Sequence, residues 1–99
     1  MNKVVHKYPL HVGKVQQLEV PVGAKVLSVQ VQGSSLCLWA LVNADPEGRK
    51  RMIRVAVLAT GQEVKESIKD WDYVGTAMMM DGLFVWHVFT ATNPSIPAP

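Results

Sequence analysis

Apolar and polar residues alternate along most of this chain, and the apolar positions are rich in valine, isoleucine and leucine. A period of two with β-branched residues is the pattern of half-buried strands. Lys3 to Tyr8 reads as a first strand, stopped by Pro9. In Val15 to Val20, Leu18 and Val20 face one way and Gln17 and Glu19 the other; Pro21-Val22-Gly23 then supplies a turn. Lys25 to Gln32 places Leu27, Val29 and Val31 on one face and Ser28, Gln30 and Gln32 on the other. After a Gly33-Ser34-Ser35 loop, Leu36 to Val42 is apolar throughout, as expected of a central strand covered on both sides. Asn43 to Gly48 has loop chemistry. Arg51 to Thr60 resumes the alternation, Ile53, Val55 and Val57 against Met52, Arg54, Ala56 and Leu58, until Gly61 breaks it.

One stretch changes period. In Glu63 to Trp71, residues Val64, Ile68 and Trp71 fall on a single helical face, which predicts a helix of a turn or two. Strand patterning returns in Tyr73 to Met80 and Leu83 to Ala91. These flank Asp81-Gly82, a pair that favours a type I′ hairpin turn. The end of the chain, 92–99, is proline-rich and unsuited to a sheet interior. The expectation is an all-β fold, or mostly β with one short helix: an antiparallel sandwich or small barrel of about seven strands. It forms a single domain over 1–91, with a Pro-rich tail at 92–99.

Composition adds one element to this picture. At 99 residues there is room for one core. Charged residues make up 18%, below the roughly 25% of ordinary soluble domains. An under-charged surface on so small a protein suggests a shared interface, and a homo-oligomer is expected. Ten Lys+Arg against eight Asp+Glu is a weak basic excess, well short of the stripe that marks most nucleic-acid binders. Cys37 has no cysteine partner and lies in an apolar run, so a buried thiol in a reducing, cytoplasmic setting is expected. The N-terminus lacks the apolar core of a signal peptide, and Leu36 to Val42 is far short of the roughly 20 residues that span a bilayer, so no membrane is expected as partner.

Candidate chemistry is sparse. His6, His11 and His87 are scattered, and no Cys/His pair has zinc-ligand spacing, so neither metal nor cofactor is expected. His87 as a general base or ligand is outweighed by a histidine on a half-buried strand beside Trp86 and Phe89. A Cys37/His87 dyad needs an exposed thiol, which Leu36, Leu38 and Trp39 oppose. No serine sits in a nucleophile elbow and no glycine-rich loop opens a helix. A non-enzymatic protein is expected. The densest charge is Arg49, Lys50, Arg51 and Arg54, able to hold phosphate or an acidic surface, or simply to solubilise a loop and strand. Among the tryptophans, Trp39 is expected in the core because its strand is the most apolar. Met78, Met79 and Met80 oppose Trp86 and Phe89 across the hairpin, leaving it apolar on both faces. These five are the candidate interface.

Several blocks resemble a known family. Lys7-Tyr8-Pro9-Leu10, the run Pro21 to Gln32, Leu36-Cys37-Leu38-Trp39-Ala40-Leu41-Val42, and Tyr73-Val74-Gly75-Thr76 leading to His87-Val88-Phe89 are similar to small, functionally uncharacterised proteins of tailed bacteriophages, prophages and their hosts. Members of that family often carry Thr-Gly-His-Pro where this chain has Thr60-Gly61-Gln62-Glu63. The resemblance implies no catalytic residues. It implies a phage-type binding protein that occludes or sequesters a host protein or nucleotide signal, with an anti-defence or anti-CRISPR role as one form of this. The alternatives are a small β-barrel that binds nucleic acid through the basic cluster and an exposed tryptophan, and a structural virion component.

Overall fold

The computed structural model describes residues 2–45 and 47–91. The proline-rich tail expected at 92–99 lies outside the described residues. Seven strands form in chain order: β1 (Lys3–Pro9), β2 (Val15–Pro21), β3 (Lys25–Gln32), β4 (Ser35–Asn43), β5 (Lys50–Ala59), β6 (Asp72–Met79) and β7 (Phe84–Ala91). They make two sheets, a three-stranded one ordered β1-β4-β3 and a four-stranded one ordered β2-β5-β7-β6, every pair antiparallel. The fold is all-β and sandwich-like, and the described residues contain no helix.

The core follows from strand alternation. Leu36, Leu38, Ala40 and Val42 of β4 meet Ile53, Val55 and Val57 of β5, together with Val20, Val29, Ala77 and Val88, all buried between the sheets. Pro9 and Pro21 each close an edge strand, where a missing N–H breaks no interior ladder. Gly75 lies at a register shift on β6, where a Cβ would stand 3.2 Å from Val29 Cγ2. The absent side chain lets β6 of one sheet close on β3 of the other.

Two expectations about faces are corrected. The β3 ladder slips between Val26 and Ser28, so Val26 packs on the core and Leu27 is left exposed. A bulge adds one residue and reverses the parity before it. The second correction is the Glu63–Trp71 stretch, which forms turns rather than a helix. Its backbone bonds run from Ile68 N to Lys65 O and from Trp71 N to Ile68 O, each 2.9 Å. Ile68 and Trp71 still reach a common apolar surface, joining Ala56, Leu58 and Phe89 in a second cluster on the outer face of the four-stranded sheet. Val64 does not, and is exposed.

Candidate functional site

The basic cluster is divided by the strand that carries it. On β5, Arg54 shares the outer parity of Ala56 and Leu58, whereas Arg51 shares the inner parity of Ile53 and Val55. Arg54 lies with its guanidinium carbon 5.5 Å from the centre of the Trp71 ring, and its buried Nε has no hydrogen-bond partner. Lys50 lines a cleft of about 290 Å³ with His6, Asn43 and Asp45. Arg49 lines an adjoining one of about 210 Å³ with Asp45 and Gly48. Arg49 and Lys50 thus stand near each other beside a carboxylate, while Arg51 and Arg54 belong to opposite faces of the sheet.

The histidines have separate settings. The His6 ring meets Tyr8 edge-on at 6.3 Å. His11 is clamped through its backbone, its N–H donating to Gln16 Oε1 and its carbonyl accepting from Gln16 Nε2, both at 2.8 Å. His87 sits on the outer face of β7 in a chain of hydroxyls: Thr60 Oγ1 is 2.7 Å from Nε2, Thr76 Oγ1 is 3.0 Å from Nδ1, and Tyr73 hydrogen-bonds Thr76 in turn. A neutral imidazole donates from one nitrogen and accepts at the other, so two hydroxyls satisfy it completely. The hydroxyls and ring tie the turn after β5 to β7 and β6. Cys37 is buried, its Sγ 3.8 Å from the Ser35 carbonyl.

Of the candidate interface, Met79 and Trp86 pack against the main core and Phe89 against the second cluster. Met78 and Met80 do not: they are 64% and 68% exposed, and they are joined at the hairpin tip by Leu83 at 70% and Phe84 at 45%. Leu83 N donates to Met80 O at 3.0 Å across Asp81-Gly82, both at positive φ, the expected type I′ turn. Met80 itself has φ 52°, a left-handed conformation that costs a side-chain-bearing residue about 1–2 kcal/mol. Leu83 and Phe84 have opposite strand parities, one with Phe89 and the other with Trp86, and their common exposure follows from their place where the ladder ends, at Met79↔Phe84.

A second surface was missed. The outer face of the three-stranded sheet carries Trp39 at its centre, correcting the expectation that this ring is core. Trp39 and Leu41 are only half-buried, and the neighbouring Lys3, Val5, Lys7, Lys25, Gln30 and Gln32 are exposed. The ladder aligns Val5-Leu41-Lys25 in one row and Lys7-Trp39-Ser28 in the next. Coverage of Leu36–Val42 on both sides, expected from its composition, is therefore complete on the inner side and partial on the outer, where Cys37 is buried but Trp39 and Leu41 are only half-buried. Part of the signal was in the sequence: Lys3 and Lys7 share one parity of a strand that contains no carboxylate, whereas Lys25 has the parity of Val29 and Val31 and reaches this face only through the register shift between Val26 and Ser28.

Among the described residues no group of three or more His, Cys, Asp or Glu could hold a metal ion, and no helix is long and apolar enough to cross a membrane. Comparison with curated proteins and with solved structures returns no match. A family model does match, across residues 1–98, and the chain belongs to that family, described as Domain of unknown function (DUF7352).

Proposed function

We propose that this DUF7352 protein is a non-enzymatic binding protein that works as a homo-oligomer, its copies meeting through the β6–β7 hairpin tip. The observation that carries this reading is the tip itself: Met78, Met80, Leu83 and Phe84 stand together in water. Such a cluster is on the order of the few-hundred-Å² apolar patches that mark interaction sites. A two-fold interface brings the same patch from both copies together, and thioether and aromatic side chains adapt to one another across it. Phe84 is already stacked on Trp86, with ring planes 13° apart, so one anchor is fixed before contact.

The target fits the same reading. The low share of charged residues supports a protein that acts by covering a partner. The resemblance to proteins of tailed phages suggests a host component of the bacterial cytoplasm, occluded or sequestered as an anti-defence measure. Light scattering tests the assembly step. The expected result is a solution mass at a multiple of 10.9 kDa that Leu83→Asp and Met80→Asp reduce to one chain without changing the far-UV β signature. A wild-type mass of one chain at all concentrations up to about 1 mM, where even weak pairs associate, overturns it.

A further inference from the structure

The outer face of the three-stranded sheet has no part in the hairpin reading and points to a ligand of its own. The protein holds ten cationic and eight acidic residues, yet β1, β3 and β4 carry Lys3, Lys7 and Lys25 and no carboxylate. The remaining seven cations therefore share the rest of the chain with all eight acids. The molecule is polarised, with one cationic sheet face on a nearly neutral body. Asp72 stands across the seam on β6, in the cleft it shares with Lys25, and marks the border of this face.

The pattern within the face is specific. Lys7 and Ser28 flank Trp39 in one row, and Val5 and Lys25 flank Leu41 in the next. Lys7 Nζ donates to Gln32 Oε1 at 2.6 Å, which carries its ammonium from β1 across β4 to β3. Around these lie the neutral amides of Gln30, Gln32 and Asn43. A flat aromatic ring among cations, rimmed by neutral hydrogen-bonding groups, matches a ligand with repeating negative charges and flat rings. Aromatic platforms stack bases of any kind because every base has a π-face, and lysines track the phosphates.

We propose that this face binds single-stranded nucleic acid, with Trp39 as the stacking platform and Lys3, Lys7 and Lys25 as the phosphate contacts. A single strand is favoured over a duplex because bases in a duplex are already stacked and hidden from Trp39. The face offers no helix or β-ribbon to enter a groove, which is how duplexes are read. Readout is sequence-tolerant, since no arginine on these strands provides a bidentate base contact.

Fluorescence anisotropy with a labelled oligothymidine of about twelve nucleotides, within the site sizes of single β modules, tests this. Three phosphate contacts on a single strand give a slope of log affinity against log salt of about −2, or roughly a 20-fold loss between about 50 and 200 mM salt. Trp39→Ala is expected to weaken binding by about 5- to 150-fold at constant salt, with Trp39→Phe recovering most of it. Lys7→Gln and Lys25→Gln each lower the slope by about 0.7. Urea midpoints of all variants establish that they are folded. Three outcomes overturn the proposal: no salt-sensitive binding, binding that survives Trp39→Ala and the lysine substitutions together, or a preference for phosphatidylserine vesicles over the oligonucleotide. Leu83→Asp leaves this face intact, so its binding persists even where the hairpin reading fails.

Discussion

Gly75 is the residue on which the closure of the two sheets depends. A methyl group there would press on Val29 at a separation tighter than nine in ten real contacts of a Cβ, so Val29 would have to give by a few tenths of an ångström. Gly75→Ala is expected to cost about 1 kcal/mol, the low end of overpacking penalties. The cost should shrink in a Val29→Ala background, because the second substitution removes the atom that is struck. Urea unfolding of the four-member cycle measures the coupling, and equal costs in both backgrounds would sink the argument. Nothing in the local sequence Tyr73-Val74-Gly75-Thr76 announces this role. The contact joins residues far apart in the chain, and the glycine reads as a strand interruption until β3 is placed beside it. Bulges obscure matters in the same way: Val26 and Leu27 are equally apolar, and only the slipped ladder decides which is buried.

At the scale of elements, alternation made the strands legible almost to the residue, and Asp81-Gly82 made the last hairpin legible with its turn type. The Glu63–Trp71 connection was misread for a physical reason. Val64, Ile68 and Trp71 have helical spacing, but a stretch this short lies below the roughly 12–15 residues at which isolated helices become even marginal. The segment is also a crossover connection. It joins β5 to β6, which run parallel because each is antiparallel to the β7 between them, so it must return over the outer face of the sheet. Turns let Ile68 and Trp71 drop onto Ala56, Leu58 and Phe89 while Val64 stays in water. Ile68→Ala is therefore expected to destabilise by about 2 kcal/mol or more, and Val64→Ala by less than about 0.5 kcal/mol. A helix with both residues on its buried face would give comparable losses, and denaturation midpoints distinguish the two. The neighbouring Lys69–Glu66 ion pair, 2.6 Å but exposed, adds little to the balance.

For the whole molecule, the two candidate surfaces lie where sequence reasoning was least equipped to find them. The basic run Arg49 to Arg54 is conspicuous because its members are adjacent in the chain, and strand alternation then scatters them. Lys3, Lys7 and Lys25 are inconspicuous because two different strands supply them, and β4 brings those strands together around Trp39. Likewise the methionine run was visible, but the exposed tip includes Leu83 and Phe84 from beyond the turn. Proximity in space comes from pairing β1 and β3 to the same central strand, and pairing between distant segments is also what slows folding. Refolding is expected in the millisecond-to-second range typical of all-β sandwiches, and stopped-flow tryptophan fluorescence checks it; a microsecond rate would contradict such non-local topology.

The placement of β1 has a further consequence. It is an edge strand with Tyr8 as its one half-buried residue, the rest lying in water, so backbone hydrogen bonds to β4 are nearly all that retain it. Local opening of such a segment is far less costly than global unfolding. β1 is thus a latch: its amides should exchange with solvent well before those of β4 and β5. A strand of nucleic acid lying from Lys7 to Lys25 would fasten the latch, turning binding at the surface into protection of the N-terminal backbone.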